Sequence, residues 1–134
     1  MRVFLDTNVL VSALATRGLS ADVLRVTLAE HELLCGEVVL NELRPVLLEK
    51  IGVPAVRIDE FEVLIRRYHV EGMPERIYDL GLSDRSDEGV LASAIDAGAD
   101  VFVTGDRELL EAARAVPEIR ILSPRAFWEE LRRG

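Results

Sequence analysis

Apolar positions fall into two patterns along the chain, and their alternation predicts the architecture. Val3-Phe4-Leu5 and Val101–Thr104 are short β-branched and aromatic runs with no polar face, as expected of strands buried on both sides of a parallel sheet. Leu33-Leu34-Cys35, closed by Gly36, and Ile119–Leu122 read as two further strands. Between them the spacing turns helical. Asn8 to about Ala15 is apolar enough for a helix packed on the sheet, Gly18 breaks it, and Ser20 is placed to cap a second helix that ends near His31. Glu37 to about Lys50 carries Val39, Leu40, Leu43, Val46 and Leu47 on one stripe, with Pro45 opposite, so that any kink opens towards solvent. Ile58, Phe61, Leu64, Ile65 and Tyr68 mark another amphipathic helix, and Ile77-Tyr78 suits a minor strand or a loop. Helices are expected over Ser86–Ala97, ending at Gly98, and from Arg107 to about Val116, while Ser123-Pro124 supplies an N-cap and an N1 proline for the last one. Strands alternating with helices predict one α/β domain over residues 1–134, a three-layer α/β/α sandwich with a central, mainly parallel sheet. Ligand sites in such folds lie at the carboxyl ends of the strands.

Composition narrows the function. The 134 residues suit a single hydrophobic core, and the net charge of −8 argues against a protein that coats nucleic acid through a broad positive field. Lys50 is the only lysine, and Cys35 the only cysteine, so no internal disulfide forms. With no run approaching the ~18 apolar residues of a membrane span and no secretory signal pattern, a cytoplasmic location is expected.

The acidic residues carry the chemistry. Asp6 follows the first strand directly, and Asp106 follows Val101–Thr104 after one glycine, which delivers both carboxylates to the same sheet edge. Each also suits an N-cap. Asp87 shares a face with Val90, Leu91 and Ala94 and is expected on the buried stripe of its helix, with Glu88 and Asp96 pointing elsewhere as solvated comparators. Glu42 flanks its own stripe and, taken alone, reads as a solvated or arginine-paired glutamate; Asp84 reads as a helix cap. Carboxylates crowded at a cleft share a proton or take up a divalent cation, and oxygen-only ligands select Mg²⁺ or Mn²⁺. His31 and His69 stand apart in sequence, which disfavours zinc and histidine-based nucleophilic catalysis. No phosphate-binding glycine motif is present.

Phe4-Leu5-Asp6-Thr7-Asn8-Val9-Leu10-Val11-Ser12-Ala13, Asn41-Glu42-Leu43, Asp84-x-x-Asp87 leading into Leu91-Ala92-x-Ala94, and Val103-Thr104-Gly105-Asp106-x-x-Leu109-Leu110 together resemble a PIN-domain ribonuclease of the VapC-like toxin type. The resemblance extends to the closing Ile121-Leu122-Ser123-Pro124-x-x-Phe127. It implies a metal-dependent endoribonuclease from a toxin–antitoxin pair, with an acidic quartet of Asp6, Glu42, Asp87 and Asp106. Asp6, Asp87 and Asp106 would hold Mg²⁺ or Mn²⁺, Glu42 would complete that shell or help recruit a second ion, and Asn8, Thr104 and Asp84 would support the site. A homodimer and an antitoxin with a basic or arginine-bearing segment are implied as partners, besides the RNA substrate. The chain departs from the pattern at Arg85 and Ser86, where proline and further acid are common, and at Gly36-Glu37, which stand in place of the usual serine cap. Arg17, Arg44, Arg85 and Arg107 are candidate phosphate contacts, although a salt bridge is the favoured reading of each. A phosphoacceptor role for Asp6 fails for want of a nearby lysine; the surviving alternative is a catalytically weak RNA-binding or protein-interaction module.

Overall fold

A computed structural model describes residues 1–76 and 79–133. Five parallel strands form one sheet in the order β3-β2-β1-β4-β5, with β1 at Arg2–Leu5, β2 at Glu32–Gly36, β3 at His69–Glu71, β4 at Val101–Val103 and β5 at Arg120–Leu122. Helices α1 (Thr7–Ala15), α2 (Leu19–Glu30), α3 (Glu37–Pro45), α4 (Ala55–Ile65), α5 (Arg85–Asp96), α6 (Arg107–Glu111) and α7 (Pro124–Arg132) make the crossovers. This is the expected three-layer α/β/α sandwich. Val3, Phe4 and Leu5 pair in register with Val101, Phe102 and Val103 and are all buried, which explains why both runs lack a polar face. The Phe4 and Phe102 rings meet at 5.8 Å in a tilted pair at the centre of the sheet.

Several boundaries differ from expectation for identifiable reasons. Ser20 lies inside α2, and Gly18 occupies the N-cap position without a side-chain bond. Pro45 ends α3 on the exposed side, as the stripe required. With no Pro45 N–H, the ladder widens into a π-helical turn over Val46–Ile51, closed where the Gly52 N–H returns to the Leu47 carbonyl at φ +82°. The expected helix from Arg107 tightens into a 3₁₀ turn over Ala112–Ala115. Strand β3 was not foreseen, because its three residues carry no alternation. Ile77 and Tyr78 lie outside the described residues. Ser123 caps α7 as its sequence demands, its hydroxyl accepting from the Ala126 N–H at 3.0 Å.

Strand order reverses at β1, since β2 and β3 extend to one side of it and β4 and β5 to the other. The crevice between the carboxyl ends of β1 and β4 is therefore the topological switch point, where open α/β sheets bind ligands. Gly36 ends β2 beside this region. A Cβ there would meet the Ser93 Oγ at 2.1 Å, so glycine allows α5 to lie directly on the sheet.

Candidate active site

Asp6 and Asp106 leave the ends of β1 and β4, on either side of the switch point. Both are helix N-caps as well: Asp6 Oδ1 accepts from the Thr7 N–H at 2.8 Å, and Asp106 Oδ1 accepts from the Glu108 and Leu109 N–H groups at 2.8 and 3.3 Å. Capping and ligand binding do not compete here, because Asp106 caps with a single oxygen. Asp6 is buried, at 3% exposure, and Thr104 is completely buried. The Thr104 hydroxyl donates to Asp6 Oδ2 at 2.6 Å while its oxygen accepts from the Asp106 N–H at 3.0 Å, so one side chain joins the two acids. Asn8 completes the network, donating to Asp6 Oδ2 at 3.2 Å and accepting from the Gly105 N–H at 3.3 Å. Burial pushes the Asp6 carboxyl up, an effect opposed by the Thr104 hydroxyl and the Thr7 amide and reinforced by Asp106.

Asp87 sits in the first turn of α5 and is half-buried. Burial first, then the charges of Asp106, Asp6 and Asp84, push its carboxyl up to about 7, and Asp106 lies close enough to hydrogen-bond its protonated form. Glu42 reaches the same place from α3. Its Oε2 accepts from the Thr7 hydroxyl at 3.0 Å, whereas its Oε1 is buried with no partner. Burial raises its pKa, the Thr7 hydroxyl lowers it, Asp6 and Asp84 raise it further, and the nearby Ser86 hydroxyl lowers it. Glu42 is thus neither solvated nor arginine-paired, contrary to its reading in isolation. Arg44 instead bonds Asp59 at 2.8 Å. Asp84 takes the capping role expected of it, accepting from the Ser86 N–H and hydroxyl, which hold its carboxyl below the usual range.

These acids border a cleft of about 420 Å³, lined by Asp6, Glu42 and Asp87 on one side and by Val11, Val46 and Ile51 on the other. Asp106 adjoins Asp87 without lining the cleft itself. The donor set is entirely oxygen, and it combines two carboxyls driven towards their neutral forms with an unpartnered buried oxygen on Glu42. A hard divalent cation relieves all three penalties at once. Among the described residues, however, no three His, Cys, Asp or Glu side chains stand together as a ready-made metal cage. Repulsion and the separate anchoring of Asp6 to Thr104 and Asn8 account for that arrangement. His31 caps α2 and His69 pairs with Glu71 on β3, so neither contributes to the cleft.

Besides Glu42, four residues were missed or misread from the sequence. Thr7 orients Glu42, and the Asp-Thr-Asn run at a strand end was the available signal. Glu88 was expected in solvent but is 1% exposed, while Asp87 on the supposed buried stripe is only half-buried. The reason is that Glu88–Ala94 is buried without interruption, so α5 has no solvent face beyond its first turn. Glu108 bonds Ser83 through both oxygens and was not singled out at all.

A family model described as PIN domain matches residues 2–108. Among solved structures, VapBC2 from Rickettsia felis, bound to a DNA fragment from its promoter, superposes with a TM-score of 0.67 at 17% identity, covering 92% of this chain and 98% of that one. The PIN domain endonuclease Utp24 superposes with a TM-score of 0.51 at 20% identity, covering 91% of this chain and 84% of that one. A comparison with curated protein sequences returned no match.

Proposed function

Because the chain belongs to the PIN-domain family, we propose that it is a metal-dependent endoribonuclease that hydrolyses RNA phosphodiester bonds. What supports this reading is that Asp6, Glu42 and Asp87 line one cleft beside the switch point, with Asp106 adjoining Asp87 and one Glu42 oxygen buried and unpartnered. Asp6, Asp87 and Asp106 would hold Mg²⁺ or Mn²⁺, and Glu42 Oε1 is available to complete the shell. Such an ion supplies a water of lowered pKa and offsets charge on the scissile phosphate.

The chain's own residues do the rest. The Thr104 hydroxyl donates a hydrogen bond to Asp6 and thereby favours the ionised carboxylate and fixes its direction; the Asn8 amide donates to the same oxygen. Val11, Val46 and Ile51 exclude water from one flank of the cleft and offer an apolar surface to a ribose or base. Of the four candidate arginines, Arg17 and Arg107 make no ion pair among the described residues and are the two left to meet phosphates; Arg44 is occupied by Asp59, and Arg85 leans on Glu88 at 3.7 Å. No protein nucleophile is required, and burial pushes the Cys35 thiol up to about 12.

RNA cleavage assayed in Mg²⁺ or Mn²⁺ against EDTA, beside an Asp6→Asn control, tests the reading. Metal-dependent cleavage that the substitution abolishes supports it. Cleavage in EDTA, or by the variant at the wild-type rate, overturns it. The want of a ready-made cage favours the second reading, a catalytically weak RNA-binding or protein-interaction module, which predicts RNA retention without cleavage in any metal. The likeness to VapBC2 supports an antitoxin partner, and the proposal extends to a cytoplasmic homodimer whose acidic cleft receives a basic segment of that partner. Net charge −8 suits that attraction. Light scattering at tens of micromolar and co-purification with a basic protein from a neighbouring gene are the checks.

A further inference from the structure

Between β3 and α5 the chain forms a short strap, Asp79–Asp84, that ends at the N-cap of α5. Leu80 and Leu82 pack partly buried against the core, and Gly81, at φ +69°, turns the backbone between them. Two glutamates from different helices hold this strap. Glu88 of α5, almost wholly buried, accepts the Leu80 N–H through Oε2, while its Oε1 lies 3.7 Å from the Nε of a largely exposed Arg85. Glu108 of α6 accepts the Ser83 N–H at 3.2 Å through Oε2 and the Ser83 hydroxyl through Oε1. Each glutamate lies in the first turn of its helix, one position after Asp87 or two after Asp106.

A buried carboxylate with one backbone donor and one distant, solvent-screened guanidinium is an expensive way to fill a helix face. An apolar side chain would do it at lower cost if packing were the only task. What the carboxylate does that an apolar residue cannot is tie a loop amide to the first turn of α5. Glu108 makes the matching tie to α6, so the strap links the two helix starts that carry Asp87 and Asp106.

We propose that Glu88 and Glu108 are positioning residues, which clamp the 79–84 strap across the starts of α5 and α6 and so set how Asp87 and Asp106 face each other and a divalent cation. The cation half of this inference rests on the metal-dependent reading above. The clamp itself does not.

The test uses the full chain and two readouts, hydrogen exchange at the Leu80 and Ser83 amides without metal, and Mn²⁺ affinity from the electron paramagnetic resonance signal of free Mn²⁺. In Glu88→Ala and Glu108→Ala, exchange protection at the strap should fall about tenfold or more while the β1 and β4 amides stay protected, and Mn²⁺ affinity should fall about tenfold. Glu108→Gln should restore most of both, since its carbonyl still accepts the Ser83 N–H and its amide can donate to the Ser83 oxygen. Half-buried Glu108 also keeps the test open if Glu88→Ala loses its core. Unchanged protection in Glu108→Ala overturns the clamp. Lost protection with wild-type Mn²⁺ affinity overturns the positioning role. If the wild type binds no Mn²⁺, the metal reading and the cation half of this inference fall together, whereas the exchange data still decide the clamp.

Discussion

Replacing Asp87 by asparagine should make the metal-free protein more stable. The carboxyl is pushed from 3.8 to about 7 in the folded state, chiefly by burial and then by Asp106, Asp6 and Asp84. A folded pKa above the unfolded one means that the native state binds the extra proton, so stability is greatest below the unfolded value and is lost as pH rises from about 4 to about 7. At about 1.4 kcal/mol for each pH unit the ceiling is about 4 kcal/mol. Asp87 is only half-buried, and solvent screening reduces this to about 1–2 kcal/mol. Asparagine also gives up the favourable placement of a negative charge in the first turn of α5, worth about 0.3–1 kcal/mol. The net gain at pH 7.5 is then about 1 kcal/mol. For a chain of 134 residues, with an unfolding entropy of about 2.1 cal/mol/K per residue, that raises Tm by about 3–4 °C. Thermal melts in EDTA at pH 4, 5.5 and 7.5 measure it. The gain should vanish near pH 4 and level off above pH 7, and millimolar Mn²⁺ should stabilise the wild type but not the variant. A variant that melts no higher than wild type at pH 7.5, or a difference that ignores pH, would refute the electrostatic account.

Other substitutions test other parts of the argument. Thr104→Val should cost about 1–3 kcal/mol in urea unfolding, because it leaves buried Asp6 without its shortest donor and the Asp106 N–H without its acceptor. Gly36→Ala should destabilise by about 1–3 kcal/mol through collision with the Ser93 Oγ, and Ser93→Ala should recover most of it while being near neutral alone, since that hydroxyl has no partner to lose. A double-mutant cycle that shows additivity would disprove the contact. Arg107→Gln should raise the KM for RNA several-fold with kcat nearly kept and should lower the salt dependence of binding; a fall in kcat at unchanged KM would place Arg107 elsewhere in the reaction.

The sequence by itself determined the layers and placed two of the candidate acids. Two double-buried strand runs and the helical stripes between them specify a parallel α/β sandwich, because periodicity reports directly on which faces are buried. An acid directly after Val3–Leu5, and another one glycine after Val101–Thr104, are placed at a carboxyl edge by connectivity alone, so Asp6 and Asp106 were legible as a pair. Tertiary structure decided the rest. That β1 and β4 are neighbours across the switch point, and that Glu42 arrives from α3 with one oxygen stranded, depends on strand order and helix docking that local patterns do not encode. The same holds for α5. A 3.6-residue period assigns Asp87 to the core and Glu88 to water on the assumption of one covered face, but this helix is covered by the sheet, by α3 and by the 79–84 strap, so burial there follows from what surrounds the helix and not from its own repeat.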